Sequence, residues 1–170
     1  MIENSNMFKI LDHFVTFERL TNTKDYDLQD FLKKYSKDPF IQFLSADAIA
    51  GKKHILHATY ISLLAFQRNV NFTKSLHLEI LLTLAQVRQI KKAIEIMSPK
   101  NDDIIVLAIG TNKEKVLEVF KDVIDKLDGQ KKEIVPNNKN LERLFEITPH
   151  QSYSHEDIIC ENMALIETLR

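Results

Sequence analysis

The run Leu76 to Met97 (LHLEILLTLAQVRQIKKAIEIM) constrains this chain more than any other segment. Ile80, Leu84, Val87, Ile90, Ile94 and Met97 recur at steps of three or four, which predicts one long amphipathic helix with a single apolar stripe. Arg88 and Lys92 flank the stripe and Gln89 lies roughly opposite. Lys91 falls near the apolar edge, where its stem packs while its ammonium reaches water. Such a helix buries one face in a core and offers cations and hydrogen-bond donors to a polyanion with the other.

With 170 residues, the chain is expected to form a single domain, 1–170. A chain of this size buries roughly 70% of its unfolded surface, enough for a core without staples. No apolar run approaches the ~20 residues that span a bilayer. The opening residues, Met1-Ile-Glu-Asn-Ser-Asn, lack the basic head and apolar block of a secretion signal. Cys160 is the single cysteine, so a disulfide within the chain is excluded and a reducing compartment, the cytoplasm, is the expectation. The net charge of −1 hides an asymmetry. Residues 51–100 hold eight Lys or Arg against only Glu79 and Glu95, which predicts a polarised surface.

The expected fold class is α+β: helices packed around a small mixed sheet of about four strands. Phe8 to Phe17 reads as an early strand and Phe40 to Ala48 as a second. Ile104 to Ile109 (IIVLAI) is a continuous apolar run of strand length, expected to be the most buried. Lys132 to Val135 reads as a short edge strand. Helices are expected over Asp27–Lys37, Gly51–Asn69, Leu76–Met97, from Thr111 to about Leu127, over Asn140–Ile147, and from Ser154 to the C-terminus. Ser75 or Thr73 is placed to cap the long helix. Thr111-x-x-Glu114 has capping-box spacing, and Ser154-x-x-Asp157 begins the last helix. The last helix carries Ile158, Ile159, Met163, Leu165, Ile166 and Leu169, more apolar surface than one-sided packing needs.

Few constellations point to chemistry. His54 and His57 sit at i and i+3, a spacing that presents two nitrogens to one ion, but no third ligand lies near in sequence. Cys160 lies five residues after His155, a poor helical spacing for a nucleophile and its base, and reads as an inert buried thiol. Gly110-Thr111-Asn112-Lys113 has too few glycines to cradle phosphates. No metal, cofactor or catalytic residue is called for. A small-molecule enzyme would need a pocket lined by His54, His57 and Glu79. The basic set carries more weight. If the 51–69 and 76–97 helices form an antiparallel hairpin, Arg88, Lys91 and Lys92 lie toward Lys52 and Lys53. There the helix start adds its own positive field. Unpaired nucleotides suit such a face, with Tyr60 or His54 available to stack on a base.

Several stretches together resemble the kinase-binding regulatory subunit of the KEOPS complex, the TPRKB-type family. They are Phe43-Leu44-Ser45-Ala46-Asp47 followed by Gly51-Lys52-Lys53-His54-Ile55-Leu56-His57-Ala58; Leu78-Glu79-Ile80-Leu81-Leu82 continuing to Arg88-Gln89-Ile90-Lys91-Lys92-Ala93-Ile94; and Met163-Ala164-Leu165-Ile166-Glu167. The likeness runs from about Phe40 to the end, and the first 37 residues match poorly. Members of the family commonly carry a small residue and a glycine shortly before Arg-Gln-Ile, where this chain has Ala85-Gln86-Val87.

The resemblance implies a non-catalytic subunit of the assembly that makes threonylcarbamoyladenosine in tRNA. Such a subunit binds the assembly's small atypical kinase/ATPase and the single-stranded 3′ CCA end of tRNA. Carried onto this chain, it makes Lys52, Lys53, His54, Arg88 and Gln89 candidates for the tRNA end, and the basic-face reading adds Lys91 and Lys92. The kinase contact falls to the last helix, with Ile159, Met163 and Ile166. The alternative is a protein-only regulator of the kinase that does not touch RNA.

Overall fold

A computed structural model describes residues 7–25 and 27–168 of the chain; the expectation for Leu169 falls outside them. The chain divides into two compact units, one formed by residues 1–44 and 99–133, the other by 45–98 and 134–170.

The first unit is an open sheet with helices. Strands β1 (Met7–Ile10) and β2 (His13–Thr21) form a hairpin, so the single strand expected over Phe8–Phe17 is two. Leu11, at φ 54°, makes the turn. β3 (Phe40–Ser45) and β4 (Ile104–Gly110) complete the order β1-β2-β4-β3, and β5 (Gln130–Lys132) pairs with the end of β2. Among the described residues the sheet thus has five strands, and β2 runs antiparallel to β1, β4 and β5. All seven residues of β4 are buried, as a continuous apolar run requires.

Alternation along the strands sends Ile104, Val106 and Ala108 to one face. There they meet Leu20, Ile41 and Phe43, together with Val116, Phe120, Val123 and Leu127 of α5 (Lys113–Leu127) and Phe31 of α1 (Leu28–Lys34). Asp27 caps α1 and Asn112 caps α5, accepting from Lys115 N at 2.9 Å. The capping box expected from Thr111 therefore does not form. Thr111 instead donates its hydroxyl and its N–H to the Asp38 carboxylate. Arg19 donates twice to Asp103, at 2.9 and 2.7 Å, the two-pronged geometry that makes arginine–carboxylate pairs strong.

The second unit is helical: a 3-10 turn at Ala46–Ala48, then α2 (Lys52–Gln67), α3 (Leu76–Ala85), α4 (Ile90–Met97), α6 (Asn138–Phe145) and α7 (His155–Glu167). α2 packs on α3 and α7, α3 on α4, and α6 on the 3-10 turn and α7. α7 starts at Ser154 as expected, and a capping box between Ser154 and Asp157 closes its first turn. The long helix over Leu76–Met97 does not form. It breaks at Gln86, which adopts left-handed angles (φ 55°, ψ 38°). Its apolar stripe breaks with it: Ile80, Leu84 and Met97 are buried, whereas Ile90 and Ile94 are exposed.

Phe43 is buried on the sheet face and lies 6.0 Å, ring to ring, from Phe31. Phe43→Ala is expected to destabilise the protein by about 3–5 kcal/mol in denaturant unfolding, the range of large-to-small core changes.

Candidate functional site

All ten residues singled out by sequence fall in the helical unit. At the start of α2, the N–H groups of Lys53 and His54 donate to Glu156 Oε1 of α7, at 2.8 and 3.2 Å. A carboxylate from the chain itself thus occupies the anion position that the helix dipole creates. Gly51 is what lets it approach. Its φ is +155°, and a Cβ there would stand 2.3 Å from Glu156 Oε1. Lys52 and Lys53 are exposed, and the Lys53 ammonium lies 3.6 Å from Asp157, a solvated pair of little strength.

His54 is not available to a ligand. Its ring is fully buried, Nδ1 accepts from Ala50 N at 3.1 Å, and Nε2 lies 3.1 Å from the Leu84 carbonyl. Since Nδ1 accepts, the proton sits on Nε2 and is donated to Leu84. Burial pushes the imidazole down to about 4. His54 is a structural bridge between the start of α2 and the end of α3, which corrects its place among the nucleic-acid candidates and as a base-stacking ring. Glu79, the carboxylate of the enzyme reading, is likewise consumed. Fully buried, it accepts from Phe72 N (3.2 Å), Thr73 N (2.8 Å) and the Thr73 hydroxyl (3.0 Å). Among the described residues no three His, Cys, Asp or Glu side chains are grouped to hold a metal. Cys160 is half-buried, and burial, with the Glu156 and Asp157 carboxylates, raises its thiol to about 11.

The break between α3 and α4 is a Schellman closure. Gln86 N donates to Thr83 O at 3.2 Å and Val87 N to Leu82 O at 3.1 Å, while Leu82 and Val87 line one shallow groove. The Gln86 side chain donates to the Ile159 carbonyl at 3.3 Å, fastening the turn to α7. The strained αL position is the kind that glycine fills without cost, which gives a physical role to the glycine seen here in the family that the sequence resembles. Arg88, Gln89, Lys91 and Lys92 are all exposed beyond the turn. Among the described residues no side chain caps α4, and no acid lies in its first turn. The Arg88 guanidinium lies 5.2 Å above the Phe72 ring, which the buried Glu79 carboxylate holds in place through the backbone of residues 72 and 73.

Phe72 is 41% exposed and was missed in the sequence, where Asn71-Phe-Thr-Lys-Ser reads only as a turn. Its signal was an aromatic residue in a polar loop.

Two of the three partner candidates are misplaced by sequence. Ile159 and Met163 are buried, because α7 packs against both α2 and α6 and needs apolar residues on two sides. Ile166 is half-buried, and it shares the groove with Phe72, Val87 and Met163. The outward apolar residue of α7 is Leu165, 58% exposed.

Fold and site together describe an α+β protein whose helical unit displays a cationic turn beside an exposed aromatic ring. The family model described as "Kinase binding protein CGI-121" matches residues 17–167. The Regulatory protein Cgi121 of Methanocaldococcus jannaschii is 30% identical over 128 residues, covering 74% of this chain and 82% of that relative. The chain belongs to the CGI-121 family. The match begins well before Phe40, so it takes in Phe17–Thr21 of β2 and all of α1, within the first 37 residues where the resemblance is poor.

Because the folded His54 titrates below an unfolded imidazole, folding favours its neutral form. The stabilisation is present above pH ~6.5 and is lost as pH falls toward 4. His77, lowered by partial burial, adds in the same direction. Unfolding free energy is expected to fall by a few kcal/mol between pH 7 and 4, and His54→Gln is expected to flatten that slope. Denaturant titrations at stepped pH check both.

Proposed function

We propose that this protein is a non-catalytic regulatory subunit of the KEOPS tRNA-modification assembly, binding its atypical kinase and the single-stranded 3′ end of tRNA. The observation that carries the RNA half is the turn before α4. There Arg88, Gln89, Lys91 and Lys92 surround a helix start that no side chain caps, beside the exposed Phe72 ring. Backbone donors, cations and an aromatic face are what an unpaired, phosphate-bearing strand uses. Lys52 adds charge from α2, and Lys53 contributes once Asp157 releases it.

The kinase half rests on family membership and on the resemblance of the last helix. Of the three residues first singled out there, Ile166 is the one with surface to offer, and Leu165 next to it supplies the outward contact. A protein-only kinase regulator is the second reading. It is favoured by the capture of the α2 start by Glu156, which removes one anion position from the set that the sequence offered.

Mobility shift of tRNA with and without its 3′ tail separates the readings. Binding is expected to require the tail, and equal affinity for both forms rejects tail recognition. Arg88→Ala is expected to weaken tRNA binding and lower the slope of log affinity against log salt by about one. Folding stability should stay within ~0.5 kcal/mol, as for an exposed residue. Leu165→Asp is expected to abolish co-purification with the kinase while sparing tRNA affinity; retained co-purification moves that contact off the outer face of α7.

A further inference from the structure

The loop between α2 and α3 is held from inside. Phe72 N donates to one oxygen of the Glu79 carboxylate at 3.2 Å and Thr73 N to the other at 2.8 Å, with the Thr73 hydroxyl 3.0 Å from that second oxygen. Asn71 closes the loop from its other side, its amide donating to Thr73 O at 2.7 Å. Glu79 N donates to Ser75 O at 3.0 Å, so the carboxylate stands on the first turn of the helix that the loop enters. Among the described residues Ser75, the N-cap of α3, makes no side-chain capping bond; the acid one turn on gathers the loop instead.

Glu79 has no solvent exposure. Taking a carboxylate out of water is costly, and an apolar residue would fill the core without that cost. What the carboxylate supplies is direction. Two successive N–H groups bonded to the two oxygens of one planar group fix the backbone that carries the Phe72 ring. That exposed ring then stands 5.2 Å from the Arg88 guanidinium.

We infer that Glu79 is the positioning residue of the cationic turn: without touching the ligand, it sets how tightly the turn grips an unpaired RNA end by fixing the ring under Arg88. This inference rests on the RNA-end reading above. Its consequence runs against charge. An acid beside a polyanion site opposes binding through its field, so by charge alone its neutralisation tightens binding. Placement gives the reverse. In Glu79→Gln the side-chain amide keeps a single acceptor oxygen and turns an NH2 group toward the loop's donors, so either Phe72 N or Thr73 N loses its acceptor. The loop loosens, the ring is no longer fixed under Arg88, and the guanidinium has to be ordered at the moment of binding.

The test is mobility shift of tRNA with and without its 3′ tail on Glu79→Gln, Phe72→Ala and the double variant, with thermal unfolding and hydrogen exchange of the Phe72 and Thr73 amides. Glu79→Gln is expected to speed exchange at those amides and to weaken tail-dependent binding about three- to tenfold, the range for ordering one side chain. Added to Phe72→Ala, which removes the ring, it is expected to cause no further loss. Unchanged or tighter binding by a folded Glu79→Gln overturns the inference. An equal loss with and without the ring overturns it too, since the acid would then act on the fold at large. If Glu79→Gln does not fold, Asn71→Ala decides, because it releases the same loop from its half-buried side: weakened tail-dependent binding supports the inference and wild-type affinity overturns it. Arg88→Ala tells the two failures apart. If neither it nor Phe72→Ala weakens binding, the RNA-end reading is what fails; if both do while Glu79→Gln does not, only the positioning role is lost.

Discussion

The carboxylate of Glu156 accepts from two backbone N–H groups at the start of α2, and the arrangement of the helical unit follows from that contact. A charged acceptor at a helix N-terminus is stabilised both by short hydrogen bonds and by the helix dipole. It seats the first turn of α7 on the first turn of α2. The imidazole of His54, on that same turn, reaches on to the end of α3. Three helices therefore converge on one polar junction whose members are buried or half-buried and whose donors and acceptors are matched. Such a junction is expensive to disturb, because removing any member leaves another unsatisfied.

A second internal carboxylate does comparable work at the far side of α3. Glu79 has no solvent exposure and is held by three donors from residues 72 and 73. A buried carboxylate is tolerated only when it is hydrogen-bonded in this way. Its effect is to fold the loop after α2 back along α3, which brings the Phe72 ring under Arg88. The exposed cations are thus displayed by a frame built from acids. The segment richest in positive charge owes its shape to its own Glu79 and to Glu156 from α7.

Much of the frame was legible in the residues alone. The apolar run 104–109 announced the central strand, Ser154-x-x-Asp157 announced the start of α7, and the boundaries of α2 and α5 fell within a residue or two of expectation. The break at Gln86 was not legible, because the groups bonded at it, a histidine thirty positions back and a carbonyl on α7, lie far away in sequence. Local periodicity carries no record of either. The surplus apolar face of α7 was read as a partner surface for a related reason. A helix clasped from two sides and a helix waiting for a partner share one pattern, and only packing against α2 and α6 distinguishes them. Of the nucleic-acid candidates, Lys52, Lys53, Arg88, Gln89, Lys91 and Lys92 kept their exposure, while His54 became scaffold.

The guanidinium of Arg88, placed 5.2 Å over the Phe72 ring, has one further consequence. A free arginine on a surface samples many rotamers and surrenders them when it grips an anion. Here the stacking partner is itself anchored by a buried acid, so the side chain is already confined when the fold is complete. On the proposed RNA-end reading, an incoming strand meets a cation whose direction is set, and less disorder has to be removed at the moment of encounter. Discrimination at such a point comes from shape and planarity more than from bare charge, and a lysine in its place would keep the charge but not the alignment.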